Sequence, residues 1–320
     1  MKVDILVPCY NEEAVLPLFW EECERVVTSL PSYDFHYVFV DDGSKDGTCS
    51  LLKERSDIYP DRVSWISFSR NFGKEAAMYA GLSHSTGDYV LILDADLQHP
   101  PTLIPEMLQA MEEGYDCAIA IRTRDGDPVL RTWFSRQFYK TMNRISDVKL
   151  KDGAGDFRML NRKAVEAVLS LGEVSRFSKG IFSYVGFCCK EIPYKNVDRA
   201  AGTSKWSFLK LFRYALDGIA SFSTFPLKLA ALLGTFFSAA AFIYLIVLVI
   251  KTLVTGIEVP GYASTICLIL LLGGMILLCL GIIGQYLAKI YTEVKHRPVY
   301  LIEEAHLSEE EEKIRKERSL

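Results

Sequence analysis

Two uncharged apolar runs near the C-terminus constrain the fold more than any other feature of the chain. Leu229 to Ile250 and Val259 to Ala288 continue for 22 and 30 residues without an Asp, Glu, Lys or Arg. About 20 apolar residues suffice to cross roughly 30 Å of hydrocarbon, so each run is predicted to be a transmembrane helix, over 225–251 and 259–288. Lys205, Lys210, Arg213 and Lys228 precede the first span and Lys289, Lys295 and Arg297 follow the second, against Lys251 alone between them. That excess of basic flanks predicts a multi-pass protein of the cell (inner) membrane, with both termini cytoplasmic. Met1-Lys2-Val3-Asp4 leads into a short apolar run ended by Pro8, which is not the pattern of a signal peptide.

The remaining sequence belongs to a soluble domain. Across 320 residues the chain is 50% hydrophobic with mean hydropathy +0.14, a mixture of membrane hairpin and ordinary globular sequence. A net charge of −4, without basic residues interleaved with aromatics in a binding pattern, gives no nucleic-acid partner. The eight cysteines are scattered, with Cys188-Cys189 the one close pair, so neither a zinc site nor a disulfide framework is expected.

Within the soluble part, apolar runs end repeatedly in charged or polar loops. Val3 to Pro8 reads as a first strand followed by Cys9-Tyr10-Asn11-Glu12-Glu13, and Tyr37 to Val40 as a second, followed by Asp41-Asp42-Gly43-Ser44. Ser64 to Phe68 is a third, closed by Ser69-Arg70-Asn71-Phe72-Gly73-Lys74, where Arg70 and Lys74 stand as a diphosphate at a helix N-terminus would require. Val90 to Leu93 is a fourth, and Asp94, Asp96 and Gln98 follow it at alternate positions. Ligands of open α/β sheets gather at the carboxyl ends of strands. If the chain stays extended there, these three side chains share a face and offer oxygen ligands to Mg²⁺ or Mn²⁺. A second Asp-x-Asp, at Asp125-Gly126-Asp127-Pro128, has the composition of a turn. The fold predicted for 1–204 is α/β, a mostly parallel sheet with helices on both faces. Without G-x-G-x-x-G after the first strand, a nicotinamide or flavin domain is not expected.

Pro8-x-Tyr10-Asn11-Glu12-Glu13, Val40-Asp41-Asp42-Gly43-Ser44, Arg70 to Lys74, Asp94-Ala95-Asp96-Leu97-Gln98, Gly155-Asp156-Phe157-Arg158 and Arg199-x-x-Gly202-x-Ser204-Lys205 occur in this order. Together they resemble family 2 glycosyltransferases of GT-A fold. With the two C-terminal spans, they are most similar to polyprenyl-phosphate glycosyltransferases of the bactoprenol (undecaprenyl-phosphate) glucosyltransferase kind, relatives of the dolichyl-phosphate mannose synthases. The resemblance implies that Pro8, Tyr10 and Glu12 border the nucleotide and that Asp42, or its neighbour Asp41, accepts from the base. It implies metal and diphosphate at Asp94, Asp96 and Gln98, an acceptor-phosphate clamp of Arg122 and Arg136, and closure by Arg199 and Lys205. Asp156 is the base this resemblance implies. A phosphate monoester has a second pKa of about 6 and is largely dianionic near neutral pH, so orienting the sugar or an arginine is the alternative role for Asp156.

Lys205 to Tyr214 interleaves aromatics, leucines and basic residues, and 205–224 is expected to lie as an amphipathic helix in the headgroup layer. Gly274, Gly281 and Ala288 form a small-residue stripe suited to close helix packing. Its partner is either the first span or a neighbouring copy, and a homo-oligomer is expected. The tail, 289–320, is charged, with seven acids and four bases from Glu303 onward, and is expected to be a solvated helix or disordered.

The function implied is metal-dependent, inverting transfer of a hexose, glucose foremost, from a UDP-sugar to polyprenyl phosphate at the cytoplasmic membrane face, for cell-envelope glycan modification. Transfer of N-acetylglucosamine, galactose or an aminoarabinose-type sugar to the same lipid is one alternative. A non-catalytic membrane scaffold is another. A processive polysaccharide synthase is disfavoured, because there is no Gln-x-x-Arg-Trp sequence and two spans are few for a polymer channel.

Overall fold

The computed structural model describes residues 1–123, 137, 139–146, 148–195, 218–219, 221–255 and 261–318. Its described strands and α-helices are, in order, β1 (Lys2–Cys9), α1 (Leu16–Val27), β2 (Asp34–Asp41), α2 (Thr48–Ile58), β3 (Val63–Phe68), α3 (Lys74–His84), β4 (Tyr89–Ile92), α4 (Ile104–Glu112), β5 (Cys117–Arg122), β6 (Ala154–Asn161), α5 (Arg162–Ser170), α6 (Ser178–Tyr184), β7 (Cys189–Tyr194), α7 (Phe225–Thr255), α8 (Tyr262–Val294), β8 (Ile302–His306) and α9 (Glu309–Arg318).

The strands form one sheet in the order β7-β5-β6-β4-β1-β2-β3-β8. β1 pairs in parallel with β2 and β4, β2 with β3, and β5 with β7, whereas β6 and β8 run antiparallel to their neighbours. Strand alternation sends Val3, Ile5, Val7 and Leu91 to one core with Phe19 and Met107, and Leu6, Val90 and Ile92 to the other with Ala77, Leu82 and Ile181. Helices cover both faces, as the α/β expectation requires. α3 lies closest to the sheet. A Cβ on Gly81 would stand 1.8 Å from Leu6 Cδ1, so glycine sets how near that helix approaches β1.

α7 and α8 are long and apolar enough to cross a membrane, each with mean hydropathy 2.4 over its span. Both end later than the expected 225–251 and 259–288, because the helical hydrogen bonding continues past the last apolar turn, while α8 starts at Tyr262, later than expected. They form an antiparallel hairpin: Cys279 Sγ lies 3.7 Å from the Ala230 carbonyl, Tyr286 donates to the Ser223 carbonyl at 2.6 Å, and Lys289 donates to Ser221 Oγ at 2.6 Å. The stripe of Gly274 and Gly281 does not face α7. A Cβ at either glycine would meet nothing within 4 Å. Of the headgroup-layer helix expected over 205–224, residues 205–217 and 220 lie outside the described residues.

The tail contains the expected helix, at Glu309–Arg318, but departs from its expectation before it. Residues 302–306 form β8, antiparallel to β3 with Trp65 opposite His306 and Ser67 opposite Glu304. α9 then buries Glu311 completely against the sheet edge. Ser64 Oγ donates to Glu311 Oε2 at 2.5 Å, and His36 Nδ1 stands 3.8 Å from Glu311 Oε1 and 3.5 Å from Asp4 Oδ1. Asp4 also accepts from the amides of Thr86 and Gly87 at 2.6 and 2.7 Å. The catalytic domain is therefore not closed at residue 204. Chain that follows the hairpin returns to cover the open edge of β3 with paired backbone.

Candidate active site

The carboxyl ends of β1, β2 and β3 are stitched into one wall. Asn11 N donates to Ser44 Oγ at 2.9 Å, Lys45 N to Asn11 Oδ1 at 2.8 Å, and Glu12 N to Thr48 Oγ1 at 2.9 Å. Gly43 has φ +66°, and a Cβ there would stand 2.5 Å from the Arg70 carbonyl carbon, so this glycine lets the β2 and β3 loops meet. Between them opens a cleft of about 670 Å³, whose lining includes Tyr10, Asp41, Ser67, Arg70, Glu303 and Glu304. The guanidinium of Arg70 lies 4.1 Å above the Phe72 ring.

The two adjacent carboxylates divide their work. Asp41 lines the cleft, accepting from Ser67 Oγ at 2.8 Å and Ser44 N at 3.1 Å. Asp42 turns away and accepts from the Phe72 and Gly73 amides, at 2.6 and 2.9 Å. Burial, not fully offset by these amides, raises its pKa. Asp42 is thus a clasp for the loop before α3, and of the pair only Asp41 lines the cleft among the described residues.

At the first residue of α3, Lys74 Nζ donates to Asp94 at 2.8 Å and to Asp156 Oδ2 at 2.6 Å. Asp156 comes from β6, where the register against β5 shifts between Ile119 and Ile121. Such a bulge re-aims a side chain, here toward Lys74. Burial works to raise the Asp156 pKa, but the cations Lys74, Lys179 and Arg158 outweigh it and hold the carboxyl well below the usual range. Burial works to lower Lys74, and Asp156 and Asp94 outweigh it, pushing its pKa up. Both groups stay charged near neutral pH. His99, missed in the sequence, completes this corner: its ring packs on Phe157 at 5.2 Å, and its Nδ1, 3.6 Å from Asp94 Oδ2, has no hydrogen-bond partner. Burial lowers its pKa.

The extended chain expected for Asp94, Asp96 and Gln98 does not hold. β4 ends at Ile92, Leu97 adopts φ 56°, and Asp96 Oδ1 accepts from Gln98 N at 3.1 Å, so aspartate turn chemistry bends the segment. Among the described residues no three His, Cys, Asp or Glu side chains form a preformed metal cage. The donors still fit a hard divalent ion of the Mg²⁺ kind, which is commonly held by one or two carboxylates and completed by phosphate oxygens and water. The unpartnered His99 nitrogen beside Asp94 marks a polar gap at that point.

Of the other expected residues, Tyr10 and Arg70 line the cleft, while Pro8 and Glu12 stand behind it in β1 and its loop. Arg122 ends β5, its amide donating to the Gly153 carbonyl at 3.0 Å. Arg136, Arg199 and Lys205 lie outside the described residues. Glu303 and Glu304 had no sequence signal, because their place in the cleft follows from the pairing of β8 with β3.

The glycosyl transferase family 2 model matches residues 4–169, the stretch that carries β1 to β6 and every carboxylate around Lys74. The chain belongs to that family. This glycosyltransferase has a GT-A fold, and its relatives extend along nearly its whole length. CsbB of Bacillus subtilis (strain 168), provisionally named a glycosyltransferase, is 47% identical over 95% of this chain and 92% of its own. The SfII prophage-derived bactoprenol glucosyl transferase of Shigella flexneri is 41% identical over 96% of this chain and 99% of its own. Among solved structures, the mannosyltransferase PcManGT from Pyrobaculum calidifontis, in complex with GDP-Man and Mn²⁺, aligns with TM-score 0.46 and 18% identity over 68% of this chain and 63% of that one, a likeness too distant to carry residue roles.

Proposed function

We propose that this glycosyltransferase moves a hexose, glucose by analogy with its bactoprenol glucosyl transferase relatives, from a UDP-sugar to polyprenyl phosphate at the cytoplasmic face of the membrane. The observation that carries the lipid acceptor is the short path from the reacting centre to the membrane hairpin. Glu75, next to Lys74, accepts from the Ser178 amide at 2.9 Å, Phe177 packs on Phe222 with ring centroids 6.0 Å apart, and α7 begins at Phe225. A phosphate carried by a membrane lipid needs to travel little to meet a donor held in the cleft.

In this reading Tyr10, Asp41 and Arg70 seat the nucleotide and Lys74 stands where the diphosphate leaves, its charge countering the charge that develops. Asp94, Asp96 and Gln98 would hold Mg²⁺ or Mn²⁺, which would supply Lewis-acid neutralisation of the same diphosphate. The acceptor phosphate attacks the anomeric carbon in line and inverts it. Arg122, with Arg136 and Arg199, would grip that phosphate bidentately, and Lys205 would add a point charge beside it. Asp156, held ionised by Lys74, is a poor proton acceptor, and an already dianionic phosphate needs none. Its role is to fix the Lys74 ammonium. The test is to incubate membranes containing the protein with a panel of labelled nucleotide sugars and extract the lipid. Labelled polyprenyl-phosphate-glucose from UDP-glucose is the expected product, and label in no lipid with any donor sinks the reading.

A further inference from the structure

A second cavity, of about 120 Å³, opens on the face of the sheet that carries Asp156, and its lining includes Tyr139, Lys149, Lys151, Arg158, Lys179 and Cys189. Four of its described lining residues are cations and none is an acid. Glu191 neutralises Lys151 at 2.6 Å from outside the lining. Arg158 is the unusual member. It is 4% exposed, its guanidinium lies 3.8 Å over the Phe182 ring, its Nη2 donates to the Gly155 carbonyl at 2.6 Å, and its Nε has no hydrogen-bond partner. A buried cation with an unused donor is costly unless something else satisfies it.

Position gives the anion a meaning. Ala154 and Arg158, both in the lining, flank Asp156 on β6, two residues away on either side. Lys151 and Ala154 sit beside Gly153, whose carbonyl receives the Arg122 amide. The far wall is α6, packed on the foot of the hairpin so closely that a Cβ on Gly180 would stand 2.3 Å from the Phe222 ring. The cavity therefore lies between the reacting carboxylates and the place where the chain enters the membrane.

We propose that this cavity is a phosphomonoester subsite in which Arg158, Lys149 and Lys179 receive the phosphate of the acceptor. The proposal rests on the reading of the acceptor as a phosphate-bearing lipid, and extends its grip from Arg122 at the end of β5 onto β6. A guanidinium in a dry site and two flanking ammoniums suit a dianion, and their charge exceeds that of the neighbouring Asp156 carboxylate.

The experiment uses the full-length protein in detergent micelles and titrates farnesyl phosphate, inorganic phosphate and UDP by calorimetry. The variants are Lys149→Gln with Lys179→Gln, and Arg158→Lys, with thermal unfolding to confirm that each is folded. Farnesyl phosphate should bind the double variant about tenfold or more weakly, with UDP binding unchanged. Farnesyl phosphate should also displace inorganic phosphate from the unaltered protein. Unchanged farnesyl phosphate affinity in both variants overturns the proposal. So does a loss confined to inorganic phosphate, which would mean a site for free phosphate alone. Should the unaltered protein transfer no sugar to lipid yet bind farnesyl phosphate through Lys149 and Lys179, the subsite stands and the reading of the reaction falls instead.

Discussion

The Lys74 ammonium joins two carboxylates from distant parts of the chain, lying 2.8 Å from Asp94 and 2.6 Å from Asp156. It ties the first turn of α3 to the loop after β4 and to the bulged strand β6. Lys74→Gln leaves two acids facing one another without their shared cation. A charge-assisted contact contributes about 1.5–3 kcal/mol, so transfer should fall by roughly tenfold to a hundredfold, with Lys74→Arg recovering part. Steady-state kinetics with UDP-glucose check this. Full activity in Lys74→Gln would remove Lys74 from the reaction.

Metal removal gives a second test. Dialysis against EDTA should abolish transfer, and Mg²⁺ or Mn²⁺ should restore it. Asp96→Ala should both weaken UDP-sugar binding and abolish restoration. Activity that survives chelation would refute the assignment of Asp94, Asp96 and Gln98 to a metal.

The returning tail contributes stability and also shapes the cleft. Glu311→Ala empties a buried site that Ser64 and the Ser308 amide both address, and should cost about 1–3 kcal/mol in chemical denaturation of the catalytic domain. Ending the chain after Pro298 removes β8 along with Glu303 and Glu304, and should weaken UDP binding as well as lower the unfolding midpoint. If the truncated protein bound UDP as tightly as the full chain, the tail would have no part in the donor site.

Topology follows from β8 as much as from charge. Because the strand after α8 pairs with β3, the C-terminal end of α8 lies on the same side as the catalytic sheet. In spheroplasts, with native cysteines replaced, a cysteine at Gly256 should react with an impermeant thiol reagent and one at the exposed Glu309 should not. Labelling at Glu309 would place the catalytic domain on the wrong side.

Cys189 offers a pH readout beside the second cavity. Its hydrogen bond with Cys117, then the charges of Lys151 and Arg158, lower its thiol to about 7, against burial. A free thiol titrates near 8.5, so the thiolate should already form as pH rises through about 7. Alkylation of Cys189 by iodoacetamide should reach half its limiting rate there. A midpoint above 8 would show that the Cys117 hydrogen bond and the neighbouring cations together do not lower it.

Much of the cleft's surroundings was legible from the chain. Four apolar strands ending in charged loops placed Tyr10, Asp41, Arg70, Lys74 and Asp94 at one edge of the sheet, because parallel strands deliver their carboxyl ends there. The two long apolar helices were legible for a similar reason, since an unbroken apolar run of that length reveals itself in composition. Legibility failed wherever a contact depended on turns or on long-range pairing. The segment through Asp96 bends because its own side chain captures Gln98 N, and the choice between Asp41 and Asp42 depended on which amides lay within reach.

Sequence alone determined the hydrophobic pattern, hence the sheet, its helices and the hairpin, because burial is local in periodicity and needs no partner to be named. Only the tertiary structure decided which partners meet. It brought Asp156 to Lys74 across 82 residues and Glu311 to Ser64 across 247. Charged side chains like these carry no periodic signal of their own, and their burial is tolerable only after the fold has supplied the opposite charge or the hydrogen-bond donor.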